Sequence, residues 1–177
     1  MLCEELSLIV RELTAVFDCL PRETAEKAAR AILTHERIFT AGAGRSGLML
    51  KAFAMRLMQM GKTVYVAGET VTPAVGKGDL VFLASASGST QSVLYSARTA
   101  KKAGADLFVV TASVDSPLTA IHSADVVLQC GSKENAAGSE QVLGSLFEQA
   151  LLLWCDAVVL ALSPDPERMR ERHANLE

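Results

Sequence analysis

Basic residues are not in excess in this chain of 177 residues. Its formal net charge is −3, so the electrostatic footprint of a nucleic-acid binder is missing. An anionic ligand would have to be held by local cations and amide dipoles, not by a field over the whole surface. Cysteine is sparse: Cys3, Cys19, Cys130 and Cys155 are scattered, and none stand at C-x-x-C spacing. That spacing argues against a zinc ribbon or a redox dithiol. The four read instead as small apolar fillers in a reducing compartment. The three histidines, His35, His122 and His173, show neither metal-ligand spacing nor a His-Glu-x-x-His pattern, so no metal is expected. No Gly-x-Ser-x-Gly elbow marks a hydrolase. Long apolar runs are missing too. The longest, residues 150–162, is broken by Asp156 and falls short of the roughly 20 residues that span a bilayer. Glu4 and Glu5 stand where a signal peptide would be basic, so a cytoplasmic chain without membrane attachment is expected.

Half of the residues are apolar, which is enough to bury the core of one domain. The chain is organised around Arg37–Gly47. A short apolar run, Ile38-Phe39-Thr40-Ala41, reads as a buried parallel strand. The turn Gly42-Ala43-Gly44-Arg45-Ser46-Gly47 follows, and then a helical pattern over about residues 46–60, stopped by Gly61. Strand, glycine-rich turn and helix together make an anion site, because backbone comes close to the ligand and freed amides point at it. Gly42, Gly44 and Gly47 also fit the dinucleotide spacing, with Glu69 as the acidic residue about 20 positions on. Arg45 and Ser46 suit a phosphate monoester at least as well, and the spacing leaves both readings open.

Further strands are expected at 63–67, 80–84, 106–111 and 124–128, with helices between them. This alternation gives an α/β fold: a parallel sheet flanked by helices on both faces. Two helices precede the first strand, over residues 3–18 and from Pro21 onward, and their work is packing or subunit contact. His35 sits where a positive charge meets a helix C-terminus. Met49, Met55, Met58 and Met60 read as core filler. Strand 80–84 runs into Ser85-Ala86-Ser87-Gly88-Ser89-Thr90-Gln91-Ser92, with five hydroxyls in eight positions. One or two of these cap a helix; the rest suit the acceptor oxygens of a phosphate. Both turns leave strand carboxyl ends, where such sheets bind ligands.

A proton-transfer candidate lies in the helix that begins near Gly144. Glu148 falls beside the apolar stripe Leu143, Leu146, Phe147, Ala150, Leu151 and Trp154. Partial desolvation would raise its pKa towards that of a useful base. A solvated first-turn carboxylate facing the helix dipole fits the pattern equally well. This helix is apolar enough to be buried on most sides and covered by a partner subunit.

Residues 41–47 followed by Lys51-Ala52-Phe53-Ala54-Met55-Arg56-Leu57-Met58 resemble the 6-phospho-3-hexuloisomerase family of the sugar isomerase (SIS) domain superfamily. So do residues 72–80, residues 144–149 and the tail Arg172-His173-Ala174-Asn175-Leu176-Glu177. The resemblance spans nearly the whole chain. It implies one SIS domain over residues 1–177, on a five-stranded parallel sheet, with N-terminal helices 3–35 and tail 168–177 in the same unit. It also implies interconversion of 3-hexulose 6-phosphate and fructose 6-phosphate, the second step of formaldehyde fixation by the ribulose monophosphate route. No cofactor is implied, and the assembly would be a homotetramer. Carried over by position, Gly44, Ser46 and the loop Ser85, Ala86, Ser87, Gly88, Ser89 and Thr90 would hold the phosphate. Glu148 would be the base, Arg45 would offset enediolate or phosphate charge, and His173, from its own chain or a neighbour's, would assist ring opening or proton relay. Gln59 and Ser89 stand where the family often has His and Glu. A non-catalytic sugar phosphate sensor and an aldose–ketose isomerase remain rival readings.

Overall fold

The computed structural model describes residues 3–131 and 139–176. Its centre is a five-stranded, all-parallel sheet: β1 (Arg37–Gly42), β2 (Thr63–Val66), β3 (Leu80–Ser85), β4 (Asp106–Thr111) and β5 (Val126–Val127). The order is β2-β1-β3-β4-β5. β1 and β3 are neighbours in register, Ile38 beside Leu80 and Gly42 beside Ala84. β3 is buried along its whole length, as a strand covered on both faces must be. β5 is shorter than expected. The side chain of Asp125, just before it, accepts the Val109 N–H at 2.9 Å and pairs with Lys27, so side-chain bonds replace part of the edge ladder.

Helices cover the two faces unequally. Alternate residues Ile38, Leu80, Phe82, Phe108 and Val110 face α1 (Glu4–Asp18), α2 (Thr24–Thr34), α3 (Gly44–Gln59) and α6 (Ser145–Ala161). An aromatic row crosses this layer: Phe53 meets Phe82 at 5.4 Å between centroids, Phe82 meets Phe108 at 4.6 Å, and Phe108 meets Trp154 at 6.0 Å. Phe39, Ala41, Val81, Leu83 and Val109 face only α4 (Gln91–Ala103) and α5 (Pro117–Ile121). A last short helix, α7 (Pro166–Glu171), packs on α3.

Two local expectations are corrected. Pro21 does not open α2; its carbonyl accepts the Thr24 N–H, forming a turn ahead of the helix. Met55 and Met58 are not core filler but face outward with Leu48. The inward stripe of α3 is Leu50, Phe53, Ala54 and Leu57 at three- and four-residue spacing. Met49 and Met60 do pack against the core. α6 is buried on most sides, although Leu153 and Leu160 remain exposed.

The amino edge of the sheet is locked by charge. Arg37 grips Asp79 with two bonds, Nε to Oδ1 at 2.7 Å and Nη2 to Oδ2 at 2.6 Å. The Gly76 N–H adds a third bond to the same carboxylate. Burial alone would raise the Asp79 pKa, but these donors hold it below its usual range. His35 closes α2, with Nδ1 at 2.7 Å from the Ala31 carbonyl and Nε2 at 2.9 Å from Asp106 Oδ2. Burial alone would lower the His35 pKa; the carbonyl and the carboxylate outweigh it and raise it. A raised histidine stabilises the fold below its unfolded pKa of about 6.5, and that contribution disappears as pH rises through the folded value. The thermal midpoint advantage of the native protein over His35→Gln should therefore be largest near pH 6 and shrink steadily towards about pH 9. Melting both proteins across that range checks the sign.

Candidate active site

The carboxyl ends of β1 and β3 lie side by side, yet their chains leave in opposite directions. β1 runs into α3 on one face and β3 into α4 on the other. That divergence opens a crevice at the switch point, where ligands of such sheets bind. A cleft of about 330 Å³ occupies it, lined by residues 43–46, 84–87, Ser89, Thr90, Gly144 and Glu148.

The first turn is made by its glycines. Gly44 has φ +56°, a left-handed conformation that side chains rarely adopt. A Cβ on Gly47 would stand 2.8 Å from the Gly42 carbonyl oxygen, so the turn closes only because both positions lack one. α3 then starts at once, and its first three amides, on Gly44, Arg45 and Ser46, have no carbonyl within the helix to bond. In the second turn the Ser85 and Thr90 hydroxyls are 3.0 Å apart, those of Ser87 and Ser89 2.8 Å, and the Gly88 N–H donates to Ser85 Oγ.

Thr90 occupies the N-cap position of α4 but makes no capping bond, since its hydroxyl is turned to Ser85. The expectation that a hydroxyl of this loop caps the helix is thereby corrected. Among the described helices, α3 and α4 alone have neither a side-chain cap nor an acidic residue in the first turn. α5 carries a capping box, α7 an aspartate cap, and α1, α2 and α6 first-turn carboxylates. Both uncapped starts adjoin this cleft, and each retains a partial positive charge that favours an anion.

Glu148 sits in the first turn of α6, buried, and its carboxylate accepts a hydrogen bond from Arg45 Nε across the cleft. The solvated reading of Glu148 is set aside by this burial. The structure thus gathers Gly44, Arg45, Ser46, Ser85, Ala86, Ser87, Ser89, Thr90 and Glu148 around one cavity. Two expected residues are not among them. Gly88 turns away: its carbonyl accepts the Leu118 N–H at 2.9 Å, and a Cβ there would fall 2.1 Å from Ser116 Oγ. His173 lies in the exposed tail beyond α7. Its neighbour Arg172 packs on Gly61 and donates to the Gln59 carbonyl, at the opposite end of α3 from the cleft. Sixteen residues of helix put about 24 Å between those ends. Gln59 is buried at that far end with its side chain on Arg56, so it takes no part in the cleft. Glu69, the acid of the dinucleotide reading, pairs with Lys51 and does not line the cleft.

The bracing residues went unseen in the sequence. Thr111 Oγ1 and the Ala112 N–H both donate to the Ala86 carbonyl, and Ser116 meets Gly88. The Ser116–Pro117 start of α5 was the available signal. A larger groove of about 670 Å³ lies on the α4 face beside β1 and β2. It has no charged side chain in its lining, so we place the site in the smaller cleft.

Known proteins resemble this chain in sequence and in fold. The model of the SIS domain matches residues 31–154. The chain is 44% identical to the 3-hexulose-6-phosphate isomerase of Mycobacterium gastri, over 97% of this chain and 89% of that one. It is 43% identical to the 3-hexulose-6-phosphate isomerase of Bacillus subtilis, over 98% of each. A crystal structure of a Methanococcus jannaschii protein, from which a molecular function of 3-hexulose-6-phosphate isomerase was inferred, superposes with a TM-score of 0.84. It is 29% identical and covers 98% of this chain and 99% of its own.

Replacing Gly88 by Ala should displace the hydroxyl turn, since strain at φ +63° adds to the collision with Ser116. Calorimetric titration with a phosphate ester should show binding weakened by about tenfold or more, roughly 1.4 kcal/mol. Adding Ser116→Gly should restore part of it.

Proposed function

This chain belongs to the SIS domain family, and we propose that it interconverts 3-hexulose 6-phosphate and fructose 6-phosphate. The carrying observation is a buried carboxylate, Glu148, on the wall of a cleft formed by two hydroxyl- and amide-rich turns. Relatives with this activity in their names match at 43–44% identity along nearly the whole chain. The reaction belongs to the ribulose monophosphate route.

In this reading the phosphate lies against the α3 and α4 starts, held by their amides and by Ser46, Ser87, Ser89 and Thr90. Ser85, nearly buried and committed to Thr90 and Gly88, shapes the turn instead of reaching the ligand. With the keto group at carbon 3, Glu148 removes the hydrogen on carbon 2. The C–H electron pair becomes the C2–C3 double bond, and the carbonyl pair moves onto oxygen 3. A proton passes from oxygen 2 to oxygen 3, Glu148 returns its proton to carbon 3, and the keto group now stands at carbon 2. Arg45 offsets phosphate charge, and the nearby amides offset the negative charge that develops on oxygen.

We further propose that the unit is a single domain that works in the cytoplasm as a homotetramer, with neither membrane nor nucleic acid as partner. The exposed apolar residues Leu48, Met55, Met58, Leu153 and Leu160 support subunit contact. His173 stands too far from its own Glu148 to act there, so any part it takes in ring opening is played in a neighbour's cleft.

Glu148→Gln should keep sugar phosphate binding within a few-fold and lose about 10²- to 10⁴-fold in turnover. The checks are titration calorimetry and incorporation of solvent deuterium into fructose 6-phosphate. Label at carbon 1 alone would point to an aldose–ketose reaction, and a variant with most of its rate would remove Glu148 as the base. Mixing Glu148→Gln subunits with His173→Gln subunits should restore activity that neither has alone. Failure to restore it would remove His173 from the chemistry.

A further inference from the structure

Among the described residues the cleft contains one basic and one acidic side chain, Arg45 and Glu148, and they hold each other. The partners are unequal. The Glu148 side chain is 10% exposed and fixed in the wall, whereas that of Arg45 is 61% exposed and reaches over from solvent on a flexible stem. The bond runs from Arg45 Nε to Glu148 Oε2, bridging the first turns of α3 and α6. An oxygen that accepts a hydrogen bond from a guanidinium is poorly placed to accept a proton from carbon. Arg45 therefore covers this oxygen of the base.

A phosphate dianion entering the two turns meets the same guanidinium. It carries more charge than one carboxylate, offers forked acceptors that suit arginine, and is already held by the amides of α3 and α4. We propose that Arg45 is a latch on the base: it covers Glu148 Oε2 in the free protein and is drawn off by the phosphoryl group. The carboxylate then becomes available only when phosphate fills the turns. Arg45 is a positioning residue in this scheme, acting through Glu148. Binding energy from the non-reacting end of the substrate is spent on exposing the base, which restricts proton abstraction to phosphorylated sugars. This inference rests on the isomerase reading of the same cleft.

A phosphate group should then activate the base even when it is not attached to the sugar. D-Erythrulose, a neutral ketose with no phosphate, tests this with inorganic phosphite as the separate dianion. Glu148 would take the carbon 3 hydrogen, with the electron pair passing into the enediolate, and would return deuterium from heavy water to the same carbon. Exchange is followed by NMR with and without phosphite, using fructose 6-phosphate as the control. If the native protein fails to exchange fructose 6-phosphate, the isomerase reading falls and the latch with it. With that control intact, phosphite should speed erythrulose exchange about tenfold or more, a usual size for coupling between two ligands. No acceleration would overturn the latch alone.

Arg45→Ala should raise the phosphite-free exchange several-fold and bring the activation ratio close to one. An unchanged ratio, or slower phosphite-free exchange than in the native protein, would overturn the proposal. The third reading needs no variant to fold. The Arg45 Nε–H resonance should change its chemical shift when phosphite is added, because its acceptor changes from the carboxylate to phosphite. A signal indifferent to phosphite would show that the pair stays closed.

Discussion

Two helices that start side by side without a counter-charge set the terms for the rest of this molecule. β1 and β3 are paired in register, and α3 and α4 leave their carboxyl ends for opposite faces. Each start leaves amides that no carbonyl of its own helix can serve, and neither has a cap or a first-turn acid. A missing cap forgoes about 1 kcal/mol of helix stability. Elsewhere the helix start is compensated: α5 and α7 are capped by side chains, and α1 and α2, though uncapped, begin with carboxylates. The deficit is thus local to the cleft, and an anion relieves it. The glycine contact that closes the first turn and the Thr111 and Ser116 braces behind the second keep the two starts aimed at one volume.

The two edges of the sheet divide stability from chemistry. At the amino edge, Arg37 is forked onto a buried Asp79, and His35 ties α2 to the start of β4. Those charges are satisfied within the chain and need no ligand. At the carboxyl edge the pair of Arg45 with Glu148 joins an exposed partner to a buried one. A pair of that kind is held by the carboxylate's need for a cation in a dry wall, not by the arginine's environment. Any ligand that satisfies arginine better can therefore dissolve it.

Much of this arrangement was legible in the sequence, for reasons that can be named. β3 and β4 are continuous apolar runs bounded by turn residues, and the expected bounds of β4, residues 106–111, are those observed. Gly42, Gly44 and Gly47 announced a close backbone turn, and the stripe beside Glu148 announced a carboxylate against the core. Local pattern could not reveal the partner of that carboxylate. Arg45 lies 103 positions away, and only the strand order brings α3 beside α6. For the same reason the pattern could not show that Gly88 serves Ser116 and Leu118 instead of the ligand, or that Thr90 bonds Ser85 instead of capping. The methionines misled because an unbranched apolar side chain carries no sign of which helical face it occupies. The denser stripe of Leu50, Phe53 and Leu57 settled that.

α3 also acts as a ruler. Its first turn provides Arg45 and Ser46 to the cleft, while its last turn receives Arg172, whose guanidinium lies over Gly61 and bonds the Gln59 carbonyl. The tail is thereby pinned a helix length from the cleft of its own chain, and about 24 Å is beyond the reach of any side chain. The pin lies next to the histidine, at residue 172, so little slack remains for residue 173 to return. If the tail histidine contributes to chemistry at all, it does so across a subunit boundary. The outward face of the same helix, Leu48, Met55 and Met58, has the apolar character such a boundary requires.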